Sequence, residues 1–92
     1  MANLTFRREN NEYVAEFTAT ADFNIHIEKE NPGLLVIYQR GVSEGNYAEV
    51  IGARKYVYDN VYDVDFTTYV YPKYIKIVSS TNITSAEVTY NK

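Results

Sequence analysis

The chain contains no cysteine, which excludes a disulfide framework, a thiolate zinc site and any redox-active thiol. It also lacks a long apolar run. The longest uninterrupted one is Leu34 to Tyr38, far too short to span a bilayer. The opening MANLTFRREN turns polar and charged almost at once, with neither an apolar stretch nor a small-residue cleavage site, so no signal peptide is expected. Basic stripes are missing too. Arg7-Arg8 and Arg54-Lys55 are isolated pairs in a chain of net charge −3, whereas binding by phosphate neutralisation needs concentrated positive charge. Neither nucleic acid nor a membrane is an expected partner.

Histidine is scarce, and this bears on catalysis. A Ser–His–acid arrangement needs an imidazole between a nucleophile and a carboxylate. The one histidine, His26, sits on the polar side of its segment beside Glu28. None of Ser43, Ser79, Ser80 or Ser85 stands in a Gly-x-Ser-x-Gly context. The expectation is a solvated or hydrogen-bonded face residue, no catalytic residue, no cofactor and no enzyme.

What the chain does have is alternation. Its 92 residues suit one small domain, 1–92, with a thin stability margin. In FNIHIEK, Phe23, Ile25 and Ile27 point one way and Asn24, His26 and Glu28 the other. Tyr13, Ala15, Phe17 and Ala19 alternate likewise with Glu16, Thr18 and Thr20. Ala21-Asp22 makes the short link between these two strands, as a hairpin or as a corner between sheets. LLVIYQR begins apolar on both faces, as a strand covered on both sides would. YAEVIG, residues 56–58, VYDVDF, YIKIVSS and SAEVTYN read as further strands, and LTFRR as one at the front. Asn31-Pro32-Gly33, Gly41 to Asn46, Asp59-Asn60 and Thr81-Asn82 are turns or loops. Eight to nine short strands with regularly spaced turns predict an all-β, antiparallel two-sheet sandwich of jelly-roll or immunoglobulin-like type.

Several groups are candidates for a site. Asp63 and Asp65 share one face of a strand, as a pair of acids for glycoside chemistry would, but the outer face of a small sandwich offers no deep cleft to raise a carboxyl pKa. With Asp59 and Asn60 they form an oxygen-rich D-N-x-x-D-x-D run that calcium could use, though without the EF-hand loop, glycine or terminal glutamate. No metal is expected. Asn3-Leu4-Thr5 and Asn82-Ile83-Thr84 match the glycosylation sequon, a frequent chance match in a chain rich in Asn and Thr.

Tyrosine is the abundant feature. Of ten tyrosines, Tyr56, Tyr58, Tyr62, Tyr69, Tyr71 and Tyr74 fall in one stretch. The acids are not the buried set, so Tyr62, Val64 and Phe66 face the core. An unbroken strand then carries Tyr69 and Tyr71 outward with Asp63 and Asp65. Tyr56 and Tyr58 share a face, and Tyr74 has no assigned side because Pro72 can reset the register. Tyr13 and Tyr90 belong to the core or its rim. The candidate interface or ligand residues are therefore Tyr69, Tyr71, Tyr56, Tyr58, Asp63 and Asp65, which suit a protein contact or a sugar-stacking platform.

Residues 23–90, through DFNIHIE, NPG, LLVIYQR, a glycine-containing loop, YDVDF and YPKYIKIVSSTNITSAEVTY, have a cadence that resembles small β-sandwich virion proteins of tailed phages, of the capsid-decoration or head-fibre-anchoring type. That resemblance implies a non-enzymatic structural protein, working through self-association or capsid-type assembly in the virion or in the cytoplasm of the host cell. The closing pattern is also similar to that of carbohydrate-binding jelly rolls, which makes a glycan the alternative partner.

Overall fold

In a computed structural model, residues 2–31, 33–42, 44–50, 60–67 and 72–90 are described. Among them are nine β-strands and no helix. They are β1 (Ala2–Asn3), β2 (Arg7–Glu9), β3 (Glu12–Ala19), β4 (Phe23–Lys29), β5 (Leu35–Arg40), β6 (Ala48–Glu49), β7 (Val61–Phe66), β8 (Lys73–Ser79) and β9 (Ile83–Tyr90). Two sheets form, one in the order β1-β9-β4-β7 and the other β2-β3-β8-β5-β6. Every strand pair is antiparallel. The expected all-β, two-sheet sandwich is present.

With β2 set aside, the order has a simple origin. The chain forms one long ribbon whose first half pairs with its second: β1 with β9, β3 with β8, β4 with β7 and β5 with β6. Rolling the ribbon brings β4 against β9 and β5 against β8. This is the strand order of a jelly roll. Ala21-Asp22 is therefore a corner between sheets, because β3 and β4 lie in different ones.

Alternation decides what is inside. Ile25, Ile27, Ile37 and Ile77 are fully buried, with Leu35, Ile75 and Val88 nearly so. Together with Phe23, Tyr62 and Ala86 they form one cluster between the sheets. Burial raises the Tyr62 hydroxyl to about 12, so it stays protonated. Val36, on the opposite side of β5 from Leu35 and Ile37, is also buried, in line with a strand covered on both faces.

LTFRR does not form one strand. Ala2–Asn3 joins the four-stranded sheet and Arg7–Glu9 the other, with Leu4 and Phe6 packed on the core between them. Asn10 and Asn11 both have positive φ (49° and 67°) and connect paired Glu9 and Glu12. This is the two-residue hairpin turn that matches strand twist, and asparagine tolerates its left-handed backbone. Among the described residues of YAEVIG, Ala48–Glu49 is strand, and the Val50 N–H donates to the Ile37 carbonyl at 2.9 Å.

At one end of the sandwich two connections between the sheets lock together. The Leu34 N–H donates to Ser80 Oγ at 2.8 Å, Ser80 N–H to the Leu34 carbonyl at 2.9 Å, and Thr81 Oγ1 to the Asn31 carbonyl at 2.9 Å. Lys29 is buried at the same end, and its Nζ donates to the Gly33 carbonyl at 2.6 Å. Desolvation holds that ammonium below the usual lysine range.

Candidate functional site

Each sheet has an outer face, and the strand registers determine what gathers there. On the four-stranded sheet, β4 places Asn24 opposite Asp65 and Thr89, and His26 opposite Asp63 and Glu87. Asn24 Nδ2 donates to both acids, at 2.7 Å to Asp63 Oδ1 and 2.9 Å to Asp65 Oδ1. His26 bridges Asp63 (Nδ1 to Oδ2, 2.7 Å) and Glu28 (Nε2 to Oε2, 2.9 Å). The Asp63/Asp65 pair is thus bridged by an amide. Asn24 and then His26 hold Asp63 below the usual carboxylate range, the reverse of what a general acid needs. Asn60, the other described member of the oxygen-rich run, donates to the Glu30 carbonyl at 3.3 Å. Among the described residues, no three His, Cys, Asp or Glu side chains are grouped so as to hold a metal ion.

The outer face of the five-stranded sheet is different. Cross-strand rows place Thr18, Tyr74 and Arg40 together, then Glu16, Lys76 and Tyr38, then Val14, Val78 and Val36. Tyr47, just before β6, folds back over the first two rows. Its ring centroid is 4.4 Å from Arg40 Cζ and 5.6 Å from Lys76 Nζ, while Arg40 Cζ is 5.7 Å from the Tyr74 ring. The Arg40 guanidinium donates from Nη1 to the Gly45 carbonyl at 2.8 Å, and its buried Nε has no partner among the described residues.

Glu16 closes the side of this group. Its Oε2 accepts from Arg7 Nη2 at 2.8 Å, which holds the carboxyl below its ordinary value. Arg7 is itself paired with Glu9. Burial and the Glu16 charge raise the Tyr47 hydroxyl, so it remains a neutral donor and acceptor. Glu16, Thr18, Arg40, Tyr47 and Tyr74 line a shallow groove of about 160 Å³. The arrangement can present flat aromatic area, one guanidinium and one carboxylate to a partner.

Tyr56, Tyr58, Tyr69 and Tyr71 lie outside the described residues. Asp63 and Asp65 are exposed on the four-stranded sheet, as their alternation requires, and Tyr62 is buried with Val64 and Phe66 packed on the core. The group around Arg40 was not legible as a site. Alternation with Ile75 and Ile77 is the signal that could have placed Tyr74 outward, because β8 runs unbroken from Lys73. Tyr47 follows a loop and had no such signal.

The chain matches no family model, no curated protein and no solved structure.

Proposed function

We propose that the chain is a non-enzymatic interaction domain, an auxiliary virion component of the capsid-decoration or head-fibre-attachment kind, and that it docks on protein through the Arg40–Tyr47–Tyr74 end of the outer face of its five-stranded sheet. The observation that carries this reading is Arg40 held between Tyr47 and Tyr74 on that face. Tyrosine and arginine are the residues enriched where protein surfaces meet, because each contributes large contact area with polar ends that can still be satisfied. The jelly-roll strand order also supports the reading, since it serves capsid proteins and lectins alike. On this reading the protein resides in the virion or, before assembly, in the cytoplasm of the host cell.

A second reading has its own support. The groove beside Tyr47 and Tyr74 has polar Glu16 and Thr18 at its edge, a pairing of ring faces and hydrogen-bonding groups that also suits a sugar.

Light scattering on the intact chain, combined with a glycan array, separates the two. The protein reading expects a closed oligomer and no saturable sugar binding, with Tyr47→Ala/Tyr74→Ala shifting the protein to monomer while its fold is retained. A monomer that binds a glycan saturably, and loses that binding in the same variant, overturns the protein reading in favour of the lectin-like one.

A further inference from the structure

We propose that the cleft between the two sheets at the β7–β8 end of the sandwich binds a small aromatic carboxylate. This inference is independent of the outer face discussed above. The cleft has a volume of about 190 Å³. Phe23 and Ile75, both 2% exposed, and the half-buried Phe66 supply its apolar wall. Gln39, Thr67 and Lys73 supply the polar groups.

The wall is already an aromatic stack. Phe66 lies on Phe23 with centroids 5.0 Å apart and ring planes within 10° of parallel. Phe17 meets Phe23 edge-on at 5.4 Å and 89°, so the stack is braced from behind. Phe66 is only half-buried, and another ring can extend the stack or meet its edge. Size agrees. An apolar cavity of about 150 Å³ holds a benzene molecule, so this cleft has room for one ring and a small substituent.

The substituent is set by charge. The other described basic side chains each have a partner: Arg7 with Glu16, Arg8 over the Tyr13 ring, Lys29 with the Gly33 carbonyl, Arg40 with the Gly45 carbonyl, and Lys76 over the Tyr47 ring. Lys73 has none among the described residues, although it is half-buried and lines the cleft. The side-chain amide of Gln39, directly across from Ile75, is likewise without a hydrogen-bond partner among the described residues. The ammonium lies beside Gly41, where even an added Cβ would stand at an ordinary contact distance of 3.6 Å from Lys73 Nζ. A half-buried ammonium beside an apolar wall is best complemented by an anion, whose hydrogen bonds to it are charge-assisted. A ring for the phenylalanine wall and a carboxylate for Lys73 make one molecule.

The test titrates the intact chain with benzoate, benzyl alcohol and acetate, followed by amide NMR. Benzoate is expected to shift Gln39, Phe66 and Ile75 saturably. Benzyl alcohol, which keeps the ring and loses the charge, is expected to bind about tenfold more weakly, equivalent to about 1.4 kcal/mol. Lys73→Met should erase that preference while the spectrum stays dispersed. Absence of a saturable shift with benzoate overturns the proposal. So does equal binding of benzoate and benzyl alcohol, or of benzoate and acetate, in the unmodified chain, a comparison that does not depend on any variant folding.

Discussion

His26 Nδ1 lies 2.7 Å from Asp63 Oδ2, directly across the β4–β7 pair, while its Nε2 lies 2.9 Å from Glu28 Oε2. An imidazole can donate from both nitrogens only when doubly protonated. The two carboxylates therefore stabilise the cation, and the Glu28 and Asp63 hydrogen bonds raise the His26 pKa above its ordinary 6.5.

The pH dependence follows from the direction of each shift. The His26 contribution to stability is complete below 6.5 and is lost as pH rises through the raised value. The Asp63 contribution is complete above 3.8 and is lost as pH falls through its lowered value. Between those limits both are present. An NMR titration should find His26 above 6.5, with Asp63→Asn moving it back down. His26→Gln should flatten the fall in urea midpoint between mildly acidic and mildly alkaline buffer. An unshifted His26 titration would refute the network.

Gly33→Ala should be costly for its size. An added Cβ would stand 2.5 Å from Thr81 Cγ2 and Oγ1 and 2.7 Å from Ser80 Oγ, all belonging to side chains already held in place. Overpacking of this kind costs roughly 1–3 kcal/mol. Thr81→Ala removes two of the three obstructions, so the same glycine change should cost less in that background. A double-mutant cycle by urea denaturation checks the coupling, and strict additivity would refute it.

Ile77→Ala removes buried side-chain volume from the middle of the core, where Ile77 pairs with Ala15 on one side and Ile37 on the other. The expected loss is roughly 2–5 kcal/mol, a large part of the 5–15 kcal/mol typical of folded domains. The denaturation midpoint should fall sharply. The exposed Val42→Ala is the control and should change it little.

Tyr47 should act through its ring and not through its hydroxyl. The hydroxyl is 3.5 Å from Glu16 Oε1, at the limit of a hydrogen bond, whereas the ring lies 4.4 Å from Arg40 Cζ. Tyr47→Phe is expected to leave thermal stability nearly unchanged. Tyr47→Leu should cost roughly 0.5–1 kcal/mol through the lost cation–π contact. Equal effects of the two changes would reverse the assignment.

Alternation made the interior legible. Ile25, Ile27, Tyr62, Ile75 and Ile77 are where a period of two places them, since that period is a property of the extended backbone itself. The front of the chain departs from its strand-like composition because the Leu4 N–H donates to the Ala86 carbonyl of the four-stranded sheet while Arg7 and Arg8 pair in the five-stranded one. The Arg40 group was illegible for a related reason. Thr18, Tyr74 and Arg40 become neighbours only through the β3–β8 and β5–β8 registers, and nothing local to those residues encodes which strands will pair.

The ribbon pairing also governs how the chain is made. During synthesis β3 has to wait for β8, and β4 for β7 and β9, before their inner edges are paired. Of the strands that build the rolled ribbon, β5 and β6 are the ones that can pair early, through Gln39 and Ala48. Such a distribution of long-range pairs slows folding, on the order of milliseconds to seconds for two-state domains dominated by them. Nascent chains that end before Lys73 carry apolar β3, β4 and β5 with no central strand to join β3 to β5. Chains truncated before Lys73 are therefore expected to aggregate more than the full chain, in which β8 and β9 are free to pair.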